Sequence, residues 1–291
     1  MAASTSSRGR RIFFGTRSAK IARQRLKFVR WLRQFVHDPN SFAAAELLLP
    51  GTRAVVRPLE TPIRIHYRRC SPDLDVIAEV FGIHNYALPD GVLERLRGLG
   101  RPARILDLGA HIGVFGAFMY ASLPDAEITF WEPDPANAAL LTETIKDNGL
   151  GDRWRLVPAA AGAKDGTMRF VDGRGTESHA VTGDDAVAGG LEVPVRDVFA
   201  DLLDADLIKM DIEGSEWPLL TDDRFEAVRA LAIVLEHHGD GCPEPDPKAL
   251  AENMLRRSGF DPRAVAWEAD NMPHGLGVMW GVRPPAAAER P

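Results

Sequence analysis

Cysteine is scarce: Cys70 and Cys242 are the only two in 291 residues. No CxxC or Cys/His spacing joins them. That argues against a disulfide framework or a structural zinc site and fits a reducing compartment, the cytoplasm. Long apolar runs are missing too, and nothing approaches the roughly 18 residues needed to cross a bilayer. Acid is missing from residues 1–37, which hold ten Lys or Arg. The rest of the chain then carries 25 basic against 41 acidic residues, a net charge of −16. Such a body does not attract a phosphate backbone, and no (D/N)PP(Y/F) base-holding motif occurs, so a nucleic-acid substrate is not expected.

The composition changes along the chain. "MAASTSSRGRR" is small, polar and basic and is expected to lack fixed structure. In "SAKIARQRLKFVRWLRQFV", Ile21, Phe28, Val29, Leu32, Phe35 and Val36 recur near helical spacing between basic residues. This basic amphipathic helix either packs on the protein's own body or meets an anionic membrane surface or an acidic partner. An Arg-rich, acid-free segment also fits an organelle transit peptide. We divide the chain into a basic arm (1–40), a lead-in or cap (41–100), an α/β domain (101–285) and a tail (286–291). Strands are expected at 103–108, 126–131, 154–158, 191–195, 206–212, 231–236 and 276–282. Helices are expected at 113–121, 135–148, 214–220 and 247–258. Strands alternating with helices predict a mostly parallel sheet covered on both faces.

"ARILDLGAHIGVFGAFMY" reads as strand, glycine turn, helix. Gly109 and Gly113 permit a sharp turn and close approach of a ligand, in the crevice where open α/β sheets bind ligands. Glu132 closes the next strand, where a carboxylate can accept hydrogen bonds from ribose hydroxyls. A dinucleotide fingerprint would place glycine at 107. The acid there suits a cationic ligand instead, so Asp107, Gly109, Ala110, Gly113 and Glu132 favour S-adenosylmethionine over NAD.

With "LIKMDIEGSEWPLL" added, the sequence resembles the FkbM-family methyltransferases. The residues that carry the likeness are Lys209-Met-Asp211-Ile-Glu213-Gly214-Ser-Glu216, Asp107 to Gly113, and Glu132-Pro133-Asp134-Pro135. Ser71-Pro72-Asp73 with Phe81 and Tyr86, and "AAAG" at 159–162, match further segments. His111 stands where the family usually has Asn. The resemblance covers about residues 70–283. It implies a class I, Rossmann-like fold: a seven-stranded, mostly parallel sheet with helices on both faces and the last strand antiparallel, here with an N-terminal helical extension. It also implies S-adenosylmethionine as methyl donor, with Pro133, Asp73, Tyr86 and Ala160 joining the cofactor-binding set. The implied reaction is O-methylation of a small-molecule or glycan acceptor, such as a sugar, glycolipid or polyketide-like hydroxyl.

Asp211 ends the fourth core strand and is expected beside the sulfonium, as charge complement or base. Glu213 follows it, and Glu216 is the likelier structural acid at the start of the next helix. In "VLEHHG", alternation sends Glu236 and His238 to one side and His237 to the other. A neutral His is the commonest base near pH 7. The catalytic candidates are therefore Asp211, Glu213, Glu236 and His238. These also have the ligand types of a divalent metal, though in the spacing of no known cage, so no metal site is assigned. Ser178 and His179 could touch substrate. The rival functions are an NAD-type oxidoreductase and a non-catalytic S-adenosylmethionine-binding partner protein. Nothing in the sequence sets the acceptor or the oligomeric state.

Overall fold

The computed structural model describes residues 25–170, 180–181, 191–264 and 275–285. "MAASTSSRGRR", Ser178, His179 and the tail from 286 lie outside them. The centre is a seven-stranded sheet. Numbered along the chain within it, the strands are β1 (Arg104–Leu108), β2 (Glu127–Trp131), β3 (Trp154–Val157), β4 (Leu207–Met210), β5 (Ala232–His237), β6 (Asp261–Ala264) and β7 (Gly277–Val282). Their spatial order is β6-β7-β5-β4-β1-β2-β3. β1 pairs parallel with β2 and β4, and β4 with β5, while β7 runs antiparallel between β5 and β6. This is the class I arrangement. The chain moves outward from β1 in one direction and later returns to build outward from β4 in the other. The β1/β4 junction is therefore the switch point, outside whose carboxyl ends ligands bind in such sheets.

The central strands are apolar because both their faces are covered. Leu207, Ile208 and Met210 are wholly buried. One face packs Ile105, Phe130, Leu207, Val234 and Trp280 against Val29 and Leu32 of the arm and Ile65, Tyr67 and Phe81 of the lead-in. The other packs Leu106, Ile208, Met210 and Leu235 against Trp217, Phe225 and Leu255. Thus the segment over 25–36, helical from 25 to 32, lays Val29, Leu32 and Val36 on the body and leaves Lys27 and Arg30 exposed. Among the described residues no helix is long and apolar enough to cross a membrane.

Helix boundaries follow local chemistry. Pro135–Asp147 starts with proline after Asp134, whose side chain accepts from the N–H groups of Ala136 and Asn137. Pro247–Arg257 repeats the device with Asp246. The expected strand at 191–195 belongs not to the main sheet but to a second one of four strands, as part of Leu191–Asp197. Its place in the main sheet is taken by β6, whose sequence Asp-Pro-Arg-Ala has no apolar alternation to announce it. The expected helix at 214–220 is helical only over Trp217–Leu220, because Glu213 and Gly214 both adopt positive φ, 54° and 89°.

Candidate active site

The ends of β1 and β4 are locked together. Asp211 N–H donates to Leu108 O at 3.1 Å. Gly109 has φ 75°, and a Cβ on it would lie 1.7 Å from the carbonyl oxygen of Asp211. Gly113, at φ 83°, would direct a Cβ to within 2.4 Å of Leu141. In the direction a Cβ would take, the space these glycines leave is filled by the protein itself. The N–H groups of Gly109 and Ala110 both donate to Trp131 O at 3.0 Å, tying the turn to β2.

Asp107, with no exposed surface, stands at this junction. Lys209 Nζ lies 3.4 Å from its Oδ1, an ion-pair contact, and neither carboxylate oxygen has a hydrogen-bond partner. Burial raises the proton affinity of Asp107, and Lys209 offsets that. Lys209 Nζ also stands 3.4 Å from Asp211 Oδ2, donates to Gly109 O at 3.0 Å, and lies 5.8 Å from the centre of the Tyr86 ring. Burial opposes its charge, but Asp211, Asp107 and Glu236 more than restore it, and its pKa is raised.

β5 delivers the next group. Tyr86 Oη donates to Glu236 Oε2 at 3.4 Å. Burial, then the neighbouring Asp211 and Glu79, push the Glu236 pKa well above the usual range. His237 points the other way, with Nδ1 3.1 Å from Gly275 O. His238 sits in a cage of acids: Nε2 is 3.2 Å from Glu213 Oε2 and 3.9 Å from Glu236 Oε1, and Nδ1 is 3.1 Å from Glu216 Oε1. Burial opposes its charge, yet Glu213 and Glu216 raise its pKa to about 11. The surrounding acids thus favour the charged form of His238 near neutrality. Glu216, fully buried, accepts from the N–H of Gly214 at 2.9 Å and of His238 at 2.6 Å. It clamps two chain segments and, as expected, stands at the start of the next helix, as N-cap of Trp217–Leu220. Ligand atoms of Asp211, Glu213 and His238 lie within 4.8 Å of one another.

A second group forms beside β2. Glu132 accepts from His111 N–H at 2.7 Å and Asp134 N–H at 2.8 Å. Burial raises its pKa to about 7 against the pull of His111 and these donors. His111, at φ 51°, places Nε2 3.3 Å from Asp73 Oδ1. Arg68 grips the same carboxylate through Nε at 3.0 Å and Nη2 at 2.7 Å. Burial would raise the Asp73 pKa, but the bonds from His111 and Arg68 hold it below the usual range. Pro133 is half-buried next to Glu132. Ala160 lies on the second sheet, paired with Val195.

Sequence reasoning missed Lys209 as a site residue, along with Arg68, Glu79 and Asn85. Lys209 had a signal: it is the one charge inside a four-residue strand that is otherwise apolar. Glu79 opens a π-helical turn, Glu79–Ile83, and accepts from Asn85 Nδ2 at 2.8 Å. Such turns are frequent at functional sites, but no sequence pattern marks them.

The family model described as "Methyltransferase FkbM domain" matches residues 107–262. No curated protein sequence matches the chain. Among solved structures, the precorrin-6y C5,15-methyltransferase from Geobacter metallireducens is similar at 16% identity, with 66% of this chain and 86% of that one covered and a TM-score of 0.38. A SAM-dependent methyltransferase from Agrobacterium tumefaciens is similar at 12% identity, covering 81% and 71%, with a TM-score of 0.43. M. jannaschii TYW2 in complex with AdoMet is similar at 11% identity, covering 79% and 85%, with a TM-score of 0.36. Likenesses of this size carry no argument about function.

Proposed function

The chain belongs to the FkbM methyltransferase family, and from that premise we propose that it methylates a hydroxyl oxygen of a sugar, glycolipid or polyketide-like acceptor, with S-adenosylmethionine as donor. The observation that carries the reading is the acid-lined junction of β1, β4 and β5. There the buried, hydrogen-bond-free carboxylate of Asp107 lies against Lys209 and Asp211, with Glu236 on the next strand. Three acids gathered around one lysine leave a surplus of negative charge, which suits a ligand carrying a sulfonium and an ammonium.

The donor supplies a methyl group already activated by its positive sulfur. What remains for the chain is largely positioning, which can supply roughly 7–11 kcal/mol. Asp107 and Asp211 complement the cationic groups. Glu132 accepts from the ribose diol: Oε2 takes only the His111 N–H and keeps a lone pair, while Oε1 already takes the Asp134 N–H and Asn137 Nδ2. Glu236 takes the acceptor's proton: its raised proton affinity matches a base working near neutral pH better than an ordinary carboxylate does. His238, charged between Glu213 and Glu216, acts as a positioning residue that fixes the rim.

Isothermal calorimetry with S-adenosylmethionine tests the premise. Wild type should bind, and Asp107→Asn should weaken binding by about tenfold or more, in line with losing one charged contact. Binding of NAD instead would sink the reading. Mass spectrometry across sugar, glycolipid and polyketide hydroxyls should find the product, and methylation on carbon or nitrogen would remove the O-methyl part.

A further inference from the structure

Three consecutive leucines stand in water. Leu47, Leu48 and Leu49, at the end of the helix Pro39–Leu48, are 49%, 75% and 50% exposed, and Pro50 and Gly51 turn the chain directly after them. Runs of exposed apolar residues are avoided unless they have a use. The tip is not a loose end. Glu46, buried at the base, accepts from Tyr67 Oη at 2.6 Å and Cys70 N–H at 2.9 Å, and its carbonyl takes the Cys70 thiol. Beyond the tip, Thr52 Oγ1 donates to Leu49 O at 2.9 Å and receives from Arg69 Nη1 at 2.8 Å. The backbones of Gly51, Thr52 and Arg69 pair as well. A set of buried and side-chain bonds thus holds the leucines outward.

The flank is basic. Arg25 acts electrostatically on Cys70, at the base of the tip. Arg25, Lys27, Arg30 and Arg33 share one segment, on which Lys27 and Arg30 are exposed beside Leu26, itself 39% exposed. The turn Arg33–Phe35 at the end of that segment packs on the leucine helix. The cofactor-side network begins close by: Arg68, next to Arg69, grips Asp73, which contacts His111.

We propose that the Leu47–Leu49 tip and the basic segment over 25–33 form a docking surface for an anionic lipid bilayer. The leucines enter the headgroup boundary and the cations meet its phosphates. An apolar insert flanked by Lys and Arg is the chemistry that recognises such a surface. A purely acidic protein partner would use the cations and leave the leucines in water. Resting on the methyltransferase reading, this sets the acceptor class: a hydroxyl presented by a membrane, on a lipid or a lipid-linked glycan. The tip and the cofactor-side network are joined through the Arg68–Asp73 segment.

The full chain should co-sediment with vesicles of phosphatidylcholine and phosphatidylglycerol, and less so in high salt. The triple variant Leu47→Ser, Leu48→Ser, Leu49→Ser should lose about tenfold or more of that partitioning, as should Arg25→Glu with Lys27→Glu and Arg30→Glu. Both variants should keep S-adenosylmethionine affinity by calorimetry, which separates this outcome from failure of the functional reading. Wild type remaining in the supernatant would overturn the proposal. So would leucine-independent sedimentation, or a dimer in analytical ultracentrifugation that the serine variant dissolves, since the leucines would then be covering a second copy.

Discussion

Glu213 and Glu216 are three positions apart, and the fold gives them different tasks. Glu213 sits at φ 54°, part-exposed, with its carboxylate on the rim against His238. Glu216 is sealed and joins the turn after β4 to the end of β5. Glu216→Gln should therefore cost about 3–5 kcal/mol of stability, the usual result of removing one member of a buried ion pair, read by urea unfolding. A change below 1 kcal/mol, as for a surface pair, would discard the clamp. The same contact gives a pH signature. The folded pKa of His238 is raised from 6.5 to about 11, so its stabilising effect is full below pH 6.5 and is lost as pH rises through about 11. Stability should fall with pH across that window in wild type and much less in His238→Gln, and equal slopes would refute the caged imidazolium. For catalysis, Glu236→Gln should lower kcat by about 10²–10⁴-fold, well beyond any loss of donor affinity, and the rise of rate with pH should disappear. An unchanged profile would move the base elsewhere. From sequence, alternation separated His237 from its neighbours correctly. The protonation of His238 was illegible, because it depends on two acids that only the turn at Gly214 brings near.

Elements meet at the site through turns whose glycines answer to the protein. Gly109 and Gly149 share a positive φ, at 75° and 64°. A Cβ at 149 would meet nothing within 4 Å, whereas one at 109 would strike the Asp211 carbonyl. Gly149→Ala should then cost only the left-handed penalty of about 1–2 kcal/mol. Gly109→Ala must part β1 from β4, so a clearly larger loss is expected, together with loss of S-adenosylmethionine binding. Equal losses in urea unfolding would mean that the junction is soft. The motif around Gly109 stood out in the sequence because buried parallel strands ending in glycine turns leave a dense local pattern. β6 did not, since an edge strand with Pro262 and two charged residues derives its identity from pairing with β7. The 191–195 segment shows the converse: alternation reveals that a strand exists but not which sheet receives it.

At the scale of the molecule, the arm, the lead-in and the sheet share one core. Val29, Leu32, Ile65, Tyr67, Phe81 and Leu96 belong to the same apolar cluster as Ile105, Phe130, Leu207 and Trp280. Division at residue 100 follows composition and motif density, which register where cofactor chemistry begins, whereas a core is assembled from residues far apart in sequence. A fragment over 101–291 would expose the face of the sheet that the lead-in covers, including Phe130 and Leu207, both wholly buried in the full chain. It would also lose Asp73 and Tyr86 from the site. The full chain should accordingly unfold in a single calorimetric transition that S-adenosylmethionine shifts upward by mass action, by about 2.7 kcal/mol at a hundredfold excess over its Kd. The fragment should bind a hydrophobic dye, lose its near-ultraviolet dichroism and show no such shift. If the fragment instead unfolded cooperatively and kept donor affinity, the lead-in would be a separable cap, and the membrane-facing tip would regulate access to a site complete without it.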